Sequence, residues 1–203
     1  MNSRKNSRMK IALAALSIGT LLTGAAPALA GSSTIGLAVT TERLPDDFNA
    51  SKSTDWELNG SHTFDNHWLV AGSVKYYDTS HSTASAFNTE LDVGYTHTFN
   101  DILTLTGTAG VGTHSPDPGQ TFAFYVFKLN ADIKLTDVIT WNAIGLRYRD
   151  SFESSDDYDT PEISTGVSFK LTDQHSVSLR VVRDWKEGDV SYNGIELGYK
   201  YHF

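Results

Sequence analysis

Apolar and polar residues alternate with a period of two along most of the chain, the signature of strands with one greasy face and one polar face. Over 87–99, Phe87, Thr89, Leu91, Val93, Tyr95, His97 and Phe99 share one side, and Asn88, Glu90, Asp92, Gly94, Thr96 and Thr98 share the other. The same division recurs over 67–77, 162–171 and 190–203. This pattern predicts strands at roughly 34–42, 54–64, 67–77, 87–99, 102–114, 121–135, 138–149, 162–171, 175–185 and 190–203, and no helix after residue 30. Most of these are longer than the ~5–6 residues usual in soluble sheets and match the ~9–11 that a tilted strand needs to cross a bilayer.

Four polar pairs punctuate the strands: Asp65-Asn66, Asn100-Asp101, Thr136-Asp137 and Thr172-Asp173. Each follows a large apolar residue (Phe64, Phe99, Leu135, Leu171). They read as short turns. The stretches 42–53, 78–86, 115–119, 150–160 and 186–189 are more polar and read as longer loops. A three-residue turn pairs Phe64 with Trp68, Phe99 with Leu103 and Leu171 with His175, which keeps each apolar face continuous. The third turn is out of phase: Leu135 would pair with Ile139 and put Trp141 on the apolar face, whereas Ile144, Leu146 and Tyr148 carry it further on. A β-bulge near Asn142-Ala143 restores the phase, and a two-residue turn is the alternative.

Ten such strands leave unpaired edges unless the sheet closes. The expected fold is therefore all-β, an up-and-down antiparallel barrel of ten strands, with eight or twelve as alternatives. Aromatic residues beside the short turns (Phe64, Trp68, Phe99, Trp141, Phe203) and near the longer loops (Trp56, Tyr76, Phe87, Tyr125, Tyr148, Trp185) form two girdles around an apolar band. That arrangement turns the apolar face outward into lipid. The other face carries Asp55, Glu57, Lys75, Glu90, Asp92, Lys128, Asp132, Lys134, Arg147, Arg149, Glu162, Lys170, Arg180, Asp184, Glu196 and Lys200, acids and bases in equal number. A narrow lumen must pair such charges, because burying one alone is expensive. The register sets Glu57 against Lys75 and brings Arg147 and Arg149 toward Glu162. It also places Glu90 and Asp92 opposite Gly112 and Gly110, leaving room for a base from another strand.

Composition adds a compartment. Residues 1–30 begin with Arg4, Lys5, Arg8 and Lys10, continue with an apolar stretch from Ile11, and end in Ala28-Leu29-Ala30. This is the pattern of a cleaved secretory signal peptide, leaving 31–203 as the barrel domain. Removing those four bases leaves 12 of the 16 Lys and Arg residues against all 24 acids, a net charge of −12. Nucleic acid is thus disfavoured as a partner. There is no cysteine, so disulfides and thiolate chemistry are excluded.

With these features, and with the ending Tyr199-Lys200-Tyr201-His202-Phe203, the chain resembles the small bacterial outer-membrane β-barrel proteins. The resemblance implies an outer-membrane location, surrounding lipid and lipopolysaccharide, and a barrel-assembly machinery that reads Tyr199, Tyr201 and Phe203. It carries no cofactor. Catalytic relatives exist among such barrels, but the acid–histidine pairs of omptin-type proteases and the His-x-Ser of lipid A deacylases have no counterpart here: His81 precedes Ser82-Thr83, and His114 precedes Ser115-Pro116. The acidic run 150–159 offers Asp156, Asp157 and Asp159 as oxygen ligands for a divalent cation, against the plainer reading of a solvated loop. Gly107, Gly110 and Gly112 lie within a strand and read as close barrel packing, not a phosphate loop.

The leading functional expectation is a non-enzymatic, monomeric barrel. Its role is structural, or a narrow porin-like passage through a lumen ion-paired by Glu57, Lys75, Glu90, Asp92, Lys128, Arg147, Arg149, Glu162, Arg180, Glu196 and Lys200. The alternatives are a surface adhesion barrel acting through its acidic loops and a soluble periplasmic ligand-binding barrel.

Overall fold

A computed structural model describes residues 30–153, 155 and 158–203; the proposed signal peptide falls almost wholly outside them. Ten strands run β1 (Gly31–Arg43), β2 (Ser51–Phe64), β3 (Trp68–Thr79), β4 (Ser85–Phe99), β5 (Leu103–Asp117), β6 (Phe122–Lys134), β7 (Ile139–Ser151), β8 (Glu162–Lys170), β9 (His175–Lys186) and β10 (Asp189–His202). Each pairs antiparallel with its sequence neighbours, and β1 pairs with β10, with Thr34 opposite His202 and Arg43 opposite Asn193. The sheet is a closed barrel without an edge.

The short turns are built from local chemistry. Lys134-Leu135-Thr136-Asp137 and Lys170-Leu171-Thr172-Asp173 are the same four residues, 36 positions apart. They fold alike. The Thr136 hydroxyl accepts from the Val138 and Ile139 amides (3.2 and 3.0 Å), and that of Thr172 from the Gln174 and His175 amides (3.2 and 3.1 Å). Lys134 pairs with Asp137 at 2.8 Å and Lys170 with Asp173 at 2.6 Å. Hydrogen bonds from these lysines hold both turn carboxyls below the usual aspartate range. At the Asn100-Asp101 turn both residues adopt positive φ (52° and 57°), which Asn and Asp tolerate best after glycine.

The phase break in β7 is a bulge. Asp132 faces Asn142, but Ala131 faces Ile144, so Ala143 is the extra residue and the apolar face is restored beyond it. At the opposite end the expected loop over 186–189 is instead a two-residue hairpin. Glu187 and Gly188 both take positive φ (55° and 86°), the geometry that matches the twist of paired strands. Similarly, Ser115–Asp117 continue β5 and do not form part of a loop.

The apolar face points outward. Leu91 is 69% exposed, Leu197 61% and Trp56 58%, while Asp55, Glu90, Asp92 and Arg149 are buried within the barrel. This orientation excludes the soluble ligand-binding barrel, whose greasy face must line the interior. An arginine in place of Leu91 is expected to cost about 2–4 kcal/mol, the usual penalty for a base at the bilayer midplane. Urea unfolding of the L91R variant in lipid vesicles measures this; an unchanged midpoint contradicts the lipid-facing assignment.

Candidate functional site

The inward face of the strands encloses a polar cavity of about 480 Å³, reaching from Thr63 and Thr106 near the short turns to Lys75 and Arg149 near the loops. Its lining carries six carboxylates (Glu57, Glu90, Asp92, Asp132, Glu162, Glu196) and six bases (Lys75, Lys128, Arg147, Arg149, Arg180, Lys200).

Three cationic centres organise these charges. Lys128 of β6 contacts Glu90 and lies 3.1 Å from Asp92, both on β4. The β5 positions opposite those acids are Gly112 and Gly110. A Cβ at Gly110 would collide with the Asp92 carboxylate, so glycine is what lets the lysine reach across β5. Arg147 of β7 forks between Glu162 (2.7 Å) and Asp184 (2.9 Å), and the Tyr192 hydroxyl donates to Glu162 at 3.2 Å. Arg180 of β9 meets Glu196 at 3.3 Å and also contacts the Ser164 hydroxyl.

Other expected partners are placed differently. Glu57 and Lys75 face each other in register, but the lysine ammonium sits 3.2 Å from Asp55. Glu57 accepts from the Asn59 amide at 3.2 Å instead. Asp55 is the better seat because the Ser53 hydroxyl also donates to it, at 2.8 Å. Arg149 has no carboxylate within 4.0 Å among the described residues; it lies against the rings of Phe124 and Tyr158, 5.6 and 5.4 Å from their centroids. Lys200 likewise has no carboxylate partner there, standing exposed at the short-turn end. Lys134 and Lys170 pair with their turn aspartates and not across the lumen.

The two ends of the lumen differ. At the short-turn end the inward-facing Thr98, Lys134, Lys170 and Lys200 are exposed. At the loop end Glu42, Ser53, Asn88, Phe124, Asp184 and Tyr192 are buried. Tyr158, within the acidic run, is 8% exposed and packs into this end. Its ring packs against His114, Phe122 and Phe124 at centroid distances of 4.9, 5.0 and 5.4 Å. With the Asn88 amide oriented by its partners, its oxygen accepts from the hydroxyls of Tyr158 and Tyr77 (both 3.1 Å) and from Arg149 (3.0 Å), and its nitrogen donates to His114 at 2.6 Å. Backbone bonds from Thr160 to Arg149 (2.9 Å) and from Trp185 to Pro161 (2.9 Å) pin the segment over the mouth.

Sequence reasoning missed this stopper. One signal was available: Phe122, Phe124 and Val126 share the parity of Lys128, so they must point inward with it. Of the candidate cation ligands, Asp156 and Asp157 lie outside the described residues. The described residues hold no group of three ligands suited to a metal.

The model of the outer membrane protein beta-barrel domain matches residues 11–203. The chain belongs to this outer-membrane barrel family. It is a small bacterial outer-membrane protein, and the four connections 65–67, 100–102, 135–138 and 171–174 lie on one side of the barrel with the start of β1 and the end of β10, the longer loops on the other. No curated protein sequence matches the chain. Among solved structures, the beta domain of the Bordetella autotransporter Brka is 10% identical, covering 85% of this chain and 99% of that one with a TM-score of 0.54. A KdgM porin is 14% identical, covering 84% and 99% with a TM-score of 0.48. At 10% identity the likeness to the Brka domain is one of fold alone.

Proposed function

We propose that this outer-membrane barrel is a non-enzymatic, monomeric, narrow porin-like passage for ions and small solutes, stoppered at its outer end. The observation that carries this reading is the asymmetry of the lumen. A polar, charge-lined cavity runs between a short-turn end whose inward lysines are exposed and a loop end where Phe124, Tyr158 and their polar neighbours are buried. In this reading Tyr199 and Tyr201 on β10 and Phe203 just after it form the segment that the barrel-assembly machinery engages.

On the adhesion alternative, part of the acidic connection between β7 and β8 would have to serve as the binding surface. The longest spans 152–161; Tyr158 and Thr160 are buried at the barrel mouth, while Phe152, Glu153 and Ser155 are exposed.

Planar-bilayer recording tests the proposal. The purified protein should give small, infrequent openings with weak preference between cations and anions, because the lining charges balance. A persistent large conductance contradicts the narrow lumen. Complete absence of current over a wide voltage range overturns the passage and leaves a structural role.

A further inference from the structure

The outward face carries a charge pattern that passage through the lumen does not use. After the signal region the chain has 12 lysines and arginines. By strand parity Arg43 and Arg183 stand on the lipid-facing side of the described strands, while Lys52, the extra residue at the bulge opposite Glu42 and Arg43, turns its ammonium to Glu42 and Ser191. They occupy one rung of three adjacent strands: Arg43 of β1 faces Asn193 of β10, and Asn193 faces Arg183 of β9. Two inter-strand steps place their Cα atoms about 10 Å apart, within reach of a single ligand for two arginine side chains.

Neither arginine is neutralised. Arg183 donates through Nε to the Asn193 side-chain oxygen at 2.8 Å, and Arg43 donates through one Nη to the Asn49 carbonyl at 3.4 Å. No carboxylate lies within 4.0 Å of either among the described residues. The rung sits at the loop end, level with the outer aromatic residues. Beneath it on the same strands come Thr41, Ile195 and Val181, then Val39, Leu197 and Leu179, a bed for acyl chains. The outward acids of the loop-end strands, Asp78, Asp117 and Asp150, lie elsewhere on the circumference, on β3, β5 and β7; Asp46 and Asp47 follow Arg43 in the β1–β2 loop but make no ion pair with it, Asp47 accepting from the Asn49 amide at 3.0 Å.

We propose that Arg43, Asn193 and Arg183 form a binding site for the phosphate groups of a phosphorylated glycolipid of the outer leaflet. Guanidinium groups pair with phosphate through parallel hydrogen bonds, and two of them on one rung discriminate a phosphorylated headgroup from a zwitterionic one. The apolar bed below receives the lipid's chains. Asn193 holds Arg183 against the sheet, with its outer nitrogens left to the ligand.

The test uses the full chain in detergent, titrated with bis-phosphorylated lipid A, with the same lipid A after dephosphorylation, and with phosphatidylglycerol, and read by native mass spectrometry. Phosphorylated lipid A should bind at least tenfold more tightly than the dephosphorylated form. The R43A/R183A variant, checked for retained heat-modifiable migration, should lose that advantage, and R43K/R183K should recover only part of it. Equal binding of the two lipid A forms, or undiminished binding by the double alanine variant, overturns the site. Equal binding of phosphatidylglycerol and lipid A rejects the glycolipid and leaves a general anionic-lipid contact. None of these outcomes depends on whether the lumen conducts.

Discussion

Replacing Arg147 with alanine is expected to destabilise the barrel by about 3–5 kcal/mol, the usual cost of removing one partner from a buried ion pair. The guanidinium is shared by two carboxylates from different strands, Glu162 at 2.7 Å and Asp184 at 2.9 Å, so its loss leaves two acids facing each other without a counter-charge. The Tyr192 hydroxyl still donates to Glu162 but carries no charge. Urea unfolding in lipid vesicles, followed by the heat-modifiable gel shift, measures the change. Combining Arg147→Met with Glu162→Gln and Asp184→Asn should restore most of the loss, because desolvation of the unpaired charges and not missing packing is its source. A single alanine variant with an unchanged midpoint would show that water already screens the triad. By the same reasoning Lys200→Ala should be nearly silent, since that lysine stands exposed with no carboxylate partner among the described residues.

These expectations show where sequence stops being sufficient. The closed barrel was legible because side-chain direction in a strand has a period of two, so a run such as 87–99 fixes its own faces once one face is known to be greasy. The turns were legible for the same local reason: Thr136-Asp137 and Thr172-Asp173 carry their own hydrogen-bond acceptors. Even the bulge at Ala143 was visible as a change of parity between Trp141 and Ile144. Lumen partners were not legible at that level. Register places Glu57 opposite Lys75, but a four-carbon stem lets the ammonium choose among carboxylates two residues away along the strand, and the Ser53 hydroxyl tips the choice to Asp55. Arg149 follows the same logic in three dimensions. Its neighbours are rings from β6 and from the acidic run between β7 and β8, and no pairwise register contains that segment. A loop rich in acids reads as solvated, and nothing local says that one tyrosine within it turns inward. The hairpin at Glu187-Gly188 was misread because charged residues on both sides of the turn mimic a longer loop.

Tyr158→Ala should therefore have its largest effect on opening and not on folding. The ring fills the outer mouth between Phe122, Phe124 and His114, and its hydroxyl joins the Asn88 network. Removing a buried ring of this size withdraws about 1.5–3 kcal/mol from the closed arrangement. If opening requires the tyrosine to leave, the open-to-closed ratio rises roughly ten- to hundredfold, since each 1.4 kcal/mol is a factor of ten. Single-channel recording of the variant should show longer or more frequent openings at unchanged unit conductance when the lumen below sets the narrowest section, and a higher unit conductance when the aromatic layer does. Trp56→Ala, on the lipid-facing surface, serves as the control and should leave the traces unaltered. Tyr158→Phe separates the two contributions: it keeps the ring and loses only the hydroxyl, so it should stay close to the native behaviour if packing holds the mouth shut. Identical recordings for the native chain and the alanine variant would mean that the ion-paired section, centred on Lys128 and Arg147, blocks passage by itself. The aromatic layer would then be packing at the end of a lumen already sealed by charge.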